Sequence, residues 1–327
     1  MLFILPFSLF AQDVHFSMSE FSPIIQNPGS TGDFRGDWRV ANIHRRQWST
    51  LGVPWLTTSI GYDHQFYMKK DRFSAGAVIM NDKSGTGELT ANAFVLSGAY
   101  HKKINSEHFS MGINLSYFNK SLTWKSLSFG DQWNDAAGYF DNNLPTGETF
   151  AKDATHFFNF DWGATWHHKW EKFSAGAGFA QYHLNKPKES FFQSENRLRI
   201  RNHFQIWALY PLSEKIDLIP ETHYSFDIKA SEVVTGCKAW FRLPENNYRL
   251  DEISAGVLIR NGIRRNFDAI IITTGFRTRG WTIGLAYDVN VSGLSVATNS
   301  FGAIEIGLIY TGISTWLEKF TVPCDRY

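Results

Sequence analysis

The chain has 327 residues, enough for one large β-domain or two ordinary ones, and its net charge of +1 gives no electrostatic case for nucleic acid. Mean hydropathy is −0.26, and no stretch approaches the roughly 18 apolar residues of a spanning helix. This excludes a helical membrane protein but not a membrane β-barrel, whose strands show only every second residue to lipid.

Residues 1–10 are almost wholly apolar and lead into Ala11, Gln12 and Asp13. Residues 1–11 therefore read as a signal peptide cut after Ala11, although the basic n-region is missing, as it would be if upstream residues were lost. Residues 12–36 carry no period and read as an irregular segment, in the periplasm or in a lumen. From 37 to 312 the signal is alternation with period two, which predicts strands. Fourteen are expected, starting near Asp37, Trp55, Asp71, Leu89, His108, Thr155, Glu171, Ile200, Lys215, Ala230, Asp251, Phe267, Gly280 and Gly302. Residues 313–327 read as a C-terminal tail. The expected fold is all-β: a transmembrane, antiparallel outer-membrane β-barrel of about 14 strands.

Two features support a membrane barrel over a soluble one. First, one face of each strand is bulky and the other small or polar. Phe109, Met111, Ile113, Leu115 and Tyr117 oppose Ser110, Gly112, Asn114 and Ser116. Ile283 and Leu285 oppose Thr282 and Gly284, and Ile304, Ile306 and Leu308 oppose Glu305. In a membrane barrel the bulky face meets lipid, whereas a water-soluble barrel would pack it inside; the alternation alone leaves both open, but a small domain core seldom needs this many long strands. Second, a short phrase recurs: an aromatic, a tight turn with basic residues, then an apolar residue opening a Ser/Thr-x-Gly step. It spans Tyr67 to Gly76, Tyr100 to Gly112 and Trp166 to Gly176, with looser copies at Tyr210 to Lys215, Phe241 to Gly256 and Phe276 to Gly284. Aromatics at headgroup level beside short turns are what one rim of such a barrel needs. An even strand count puts both termini on that rim. Most short connections then fall there and long ones, such as 119–154, 183–199 and 290–301, fall opposite, as periplasmic turns and extracellular loops do; Leu243 to Leu250 departs from this, being longer than a tight turn.

Signals for chemistry are weak. No Gly-x-Ser-x-Gly elbow occurs, and Ser74, Ser110, Ser174 and Ser254 repeat as a hairpin feature rather than as nucleophiles. His167 and His168 are strand neighbours that point to opposite faces and do not easily share an ion. Asp131 to Asn143 is rich in oxygen ligands but lacks the calcium-loop pattern. Cys237 and Cys324 do not make a disulfide framework. No enzyme activity, cofactor or metal is expected. Candidate partner-binding residues are Trp133, Tyr139, Phe140, Phe191 and Phe192, aromatics on long loops, and Arg45 and Arg46 on the first strand, one of which enters the lumen.

Several motifs carry a family resemblance. Gln12 to Gly32 has a Phe-Ser step followed by Asn-Pro and small residues. Arg45, Arg46, Gln47 and Trp48 precede Pro54. Asn81 to Gly85, Leu127 to Gln132, Gly302 to Tyr310 and the closing Pro323 to Tyr327 follow in order. Over essentially its whole length the chain resembles the PorP/SprF family of outer-membrane proteins of the Bacteroidota type IX secretion and gliding motility systems. Asp325 stands where that family's ending has Pro, and Gly29 where Ala is more usual. The resemblance implies a barrel that helps deliver or hold a large secreted surface protein through that protein's C-terminal targeting domain. It also implies type IX components as partners, beside outer-membrane lipid. The alternative from a different class is a diffusion channel or hydrophobic-solute transporter, since fourteen strands lie between a filled barrel and an open pore. An enzyme would instead show a convergent Ser/His or carboxylate cluster near one rim.

Overall fold

The computed structural model describes residues 14–50, 52–68, 71–85, 88–123, 127–145, 152–191, 195–244, 250–262 and 267–312. The stretch read as a signal peptide, 1–11, and the one read as a tail, 313–327, lie outside them. The strands are β1 (Trp38–Gln47), β2 (Trp55–Met68), β3 (Asp71–Ser84), β4 (Leu89–Ile104), β5 (Glu107–Ser121), β6 (Trp133–Asn134), β7 (Tyr139–Phe140), β8 (Ala154–Lys169) and β9 (Ser174–Tyr182). They continue with β10 (Arg201–Ser213), β11 (Ile216–Phe226), β12 (Ser231–Arg242), β13 (Glu252–Asn261), β14 (Phe267–Thr278), β15 (Trp281–Asn290) and β16 (Phe301–Thr311). All but β6 and β7 form one closed barrel in which each strand pairs with its neighbours in chain order, and β1 closes the ring on β16. Fourteen strands thus form the wall, all antiparallel, with Val40 opposite Tyr310 and Arg45 opposite Glu305 at the closure. Each wall strand starts within three residues of its sequence expectation, β9 being the latest, at Ser174. The hairpin β6–β7 in the β5–β8 connection is an addition that the sequence did not announce.

The alternation resolves as expected for lipid outside. Leu285, Ile304 and Ile306 are 46%, 55% and 49% exposed on the outer surface, while Glu305 is fully buried inside. The six repeated phrases all lie on one rim, the one where β1 begins and β16 ends. We call it the terminal rim, and the opposite one the far rim. In the β14–β15 hairpin of the terminal rim Arg279 and Gly280 take φ of 43° and 86°, the left-handed pair of a two-residue turn whose twist matches the strands, whereas the β12–β13 connection on the same rim, between Arg242 and Glu252, is longer. Tyr100, Phe109, Tyr210, Phe276 and Trp281 stand exposed on the outer surface near these turns, an aromatic girdle. No helix among the described residues is long and apolar enough to cross a membrane.

Candidate functional site

Residues 14–36 occupy the lumen. They form short turns, Ser19–Phe21 and Pro28–Ser30, around a single helical turn, α1 (Pro23–Gln26). The segment descends from near the far rim at His15, beside Glu232, to the terminal rim, where β1 begins at Trp38. A Pro-rich, aperiodic stretch cannot add a strand to the wall, so its backbone groups need side-chain partners, and inward-facing wall residues supply them. Asn114 Nδ2 of the wall donates to the Ile24 carbonyl at 3.0 Å, and in the opposite sense Asn27 Nδ2 of the segment donates to the wall carbonyl of Ala164 at 3.2 Å. Ser74 Oγ and His101 Nε2 both donate to the Thr31 carbonyl, at 2.6 and 2.9 Å, and Ser110 Oγ donates to that of Gly29. Two of the four repeated rim serines therefore hold the lumenal segment.

Three charge clusters bind the same segment. In the far half, Arg45 Nη1 meets Glu305 Oε1 at 2.5 Å and its Nη2 meets Asp288 Oδ2 at 3.0 Å; Arg260 Nη1 also meets Asp288 at 2.9 Å. None of these four side chains is more than 3% exposed. The backbone amides of Ser17 and Met18 donate to the two oxygens of Glu305, at 2.7 and 2.8 Å, and Ser17 Oγ donates to Asp288. Two cations and two anions balance, so the buried charge is compensated. At mid-depth, Lys238 Nζ lies 2.5 Å from Glu20 and 2.8 Å from Glu221. Toward the terminal rim, Arg39 forks onto Asp63, with Nε at 3.0 Å and Nη2 at 2.6 Å, and Asp63 also accepts the Gly32 amide.

Apolar docking accompanies the charges. Met18 and Phe21 pack on Ile43, Leu258 and Ile271, and Ile24 packs on Val78 and Val95. The wall makes room with two cross-strand glycine pairs on its inner face, Gly284 opposite Gly307 and Gly112 opposite Gly163. A Cβ at Gly284 would lie 2.6 Å from the Phe21 ring, and one at Gly163 would lie 2.9 Å from Pro28 Cδ. These glycines are needed for close approach of the segment.

At the terminal mouth, Asp33 faces His108 and His167, whose rings stack at 4.3 Å. These three are the residues best able to hold a metal ion among those described. His168, as expected, turns the other way, to Glu107 at 2.7 Å.

The loop candidates lie apart from this interior. Trp133 and Phe140 pair across β6–β7, rings 5.0 Å apart, and the hairpin turn is pinned by Asn134 Oδ1 accepting from the amides of Ala136 and Ala137. Trp133, Tyr139 and Phe140 are 44%, 57% and 47% exposed. Phe191 is half-buried in the β9–β10 connection, and Phe192 lies outside the described residues. Arg46 is exposed on the outer face at the far rim and bonds Ser49, whereas Arg45 enters the lumen and meets only internal partners. As site residues Ser17, Arg260, Asp288 and Glu305 escaped sequence reasoning. Charged residues in mid-strand on the small, polar face were the available signal.

The fold is shared with solved outer-membrane barrels. CymD, a monoaromatic hydrocarbon channel, aligns with a TM-score of 0.54 at 10% identity over 91% of this chain and 94% of its own. The Pseudomonas toluene transporter TodX, from P. putida, gives 0.52 at 9% identity over 89% and 93%. The Ralstonia pickettii toluene transporter TbuX gives 0.50 at 10% identity over 88% and 92%. At such identities the likeness establishes the fold alone. No curated protein matches the chain. The family model for the type IX secretion system membrane protein PorP/SprF matches residues 8–310. This outer-membrane β-barrel belongs to the PorP/SprF family of type IX secretion system membrane proteins.

Proposed function

We propose that the barrel works as a docking post rather than as a conduit or a catalyst: it helps deliver or hold a large secreted protein at the cell surface and engages other type IX components. The observation that carries this reading is the occupied lumen. Residues 14–36 are held by compensated buried charge and by bonds to strands on both sides of the wall, so solute passage would require breaking them. With the terminal rim in the periplasm, the far rim presents the β6–β7 hairpin outward. Its three exposed aromatics on a pinned turn are of the kind that anchor protein contacts. They are the proposed contact for the secreted protein.

The test replaces Trp133, Tyr139 and Phe140 together by Ser in the native strain. The expected result is one large surface protein lost from the cell exterior or released to the medium, with the barrel still in the outer membrane at its normal level. Unchanged surface proteins, together with solute permeation through the wild-type barrel in liposome swelling, would replace this reading with the channel.

A further inference from the structure

We propose that Asp33, His108 and His167 form a binding site for a divalent transition-metal ion, with zinc the first choice, that ties the lumenal segment to the wall at the terminal mouth. Two imidazoles and a carboxylate are a donor set that borderline dications favour. The three residues come from three elements. Asp33 lies near the end of the lumenal segment, His108 is the second residue of β5, and His167 lies near the end of β8, directly opposite His108 in register. The stacked rings bring both Nδ1 atoms toward one carboxylate. Asp33 Oδ1 is 4.0 Å from His108 Nδ1, Oδ2 is 3.9 Å from His167 Nδ1, and one ligand atom from each of the three residues lies within 4.8 Å of the other two.

These separations are too long for hydrogen bonds. His108 Nδ1 is buried and has no hydrogen-bond partner. The three polar atoms thus surround a gap instead of satisfying each other. The two separations of about 4 Å end on the two oxygens of one carboxylate, so an ion seated between them requires the rings and the carboxylate to close in to zinc–ligand distances of about 2.0–2.2 Å. Water would complete the coordination.

Arg72 competes with the ion. Its Nη2 donates to His108 Nε2 at 2.8 Å and to His101 Nδ1 at 3.0 Å, and it lies 3.5 Å from Asp33 Oδ1, one of the proposed ligand atoms. While Nε2 of His108 accepts that bond, the ring proton of the neutral imidazole must sit on Nδ1, the atom the ion needs. Binding shifts the proton to Nε2, which then faces a guanidinium that can only donate. Arg72 must withdraw, and Gln65 Oε1, already 3.4 Å from Nη1, is the acceptor at hand. The ion and the Arg72–His108 bond exclude each other.

The test is calorimetric titration of zinc chloride into the full chain, folded in detergent, with gel mobility before and after heating used to establish that each variant is a folded barrel. One ion per chain is expected. Asp33→Asn, His108→Gln and His167→Gln should each weaken binding by about tenfold or more, since even outer partners of a metal ligand carry that much. Arg72→Gln should tighten it, an effect opposite to that of a merely structural loss. His168→Gln should leave it unchanged. With copper(II) in place of zinc, electron paramagnetic resonance should show splitting from two nitrogens. Wild type taking up no zinc, or affinity unchanged in Asp33→Asn, would overturn the site; that variant sits on the lumenal segment rather than in the wall, so it tests the site even if the histidine variants fail to fold.

Discussion

The two ends of the lumenal segment are anchored by similar chemistry at different depths. At Ser17, two arginines and two carboxylates meet with side chains at most 3% exposed, and backbone amides complete the set. At Asp33, the carboxylate is 25% exposed and stands 3.5 Å from Arg72 and 3.9 Å or more from the His108 and His167 rings. Depth decides what the charges are worth. A buried pair is costly to break because the survivor is left without water, whereas a wet pair is screened and contributes little. The Ser17 cluster is built as a permanent anchor and the Asp33 contact as an exchangeable one, beside the buried Arg39–Asp63 pair that holds Gly32.

The sharpest way to break this contrast is Glu305→Gln. It leaves Arg45 short of a counter-charge and two amides with a weaker acceptor, so a loss of about 3–5 kcal/mol is expected. The midpoint of urea unfolding in detergent reads it, and an unmoved midpoint would mean that the quartet anchors nothing. Next comes the middle of the segment. Gly284→Val drives a side chain into the Phe21 ring, and about 1–3 kcal/mol of overpacking is expected. Adding Phe21→Ala should return part of that loss in a double-mutant cycle, because the two residues touch. The smallest effect is expected at the shallow end. In metal-free buffer Asp33→Asn should shift stability by less than about 1 kcal/mol. A loss matching that of Glu305→Gln would erase the difference between the ends.

Much of this fold was legible because a barrel wall is a repeated local rule. Leu285 out and Glu305 in follow from period two, and the turns at Tyr67, Tyr100 and Trp166 mark one rim by their aromatics. The interior was legible only in fragments. Arg45 or Arg46 was expected to enter the lumen, yet nothing local pairs Arg45 with Ser17, Asp288 and Glu305, which lie 28, 243 and 260 residues away. Such contacts are set by barrel closure, not by spacing. His167 was weighed against its neighbour His168, whereas its true companion is His108, across a strand pair. The β6–β7 hairpin rests on Asn134 capping its own turn, a side-chain bond that composition does not display.

The quartet around Ser17 also straddles the seam where the first strand meets the last. Arg45 of β1 and Glu305 of β16 are opposite one another in that seam, and the amides of Ser17 and Met18 clasp Glu305 from inside. The earliest described residues of the chain are thereby joined to nearly the latest, so the ring cannot be completed until β16 has emerged and inserted. Contacts of such long range make closure the slow step of assembly. Once made, the seam is latched from within: parting β1 from β16 would strip Arg45 of its counter-charge in a dry interior. A barrel latched there is poorly suited to opening sideways into the membrane at that strand pair.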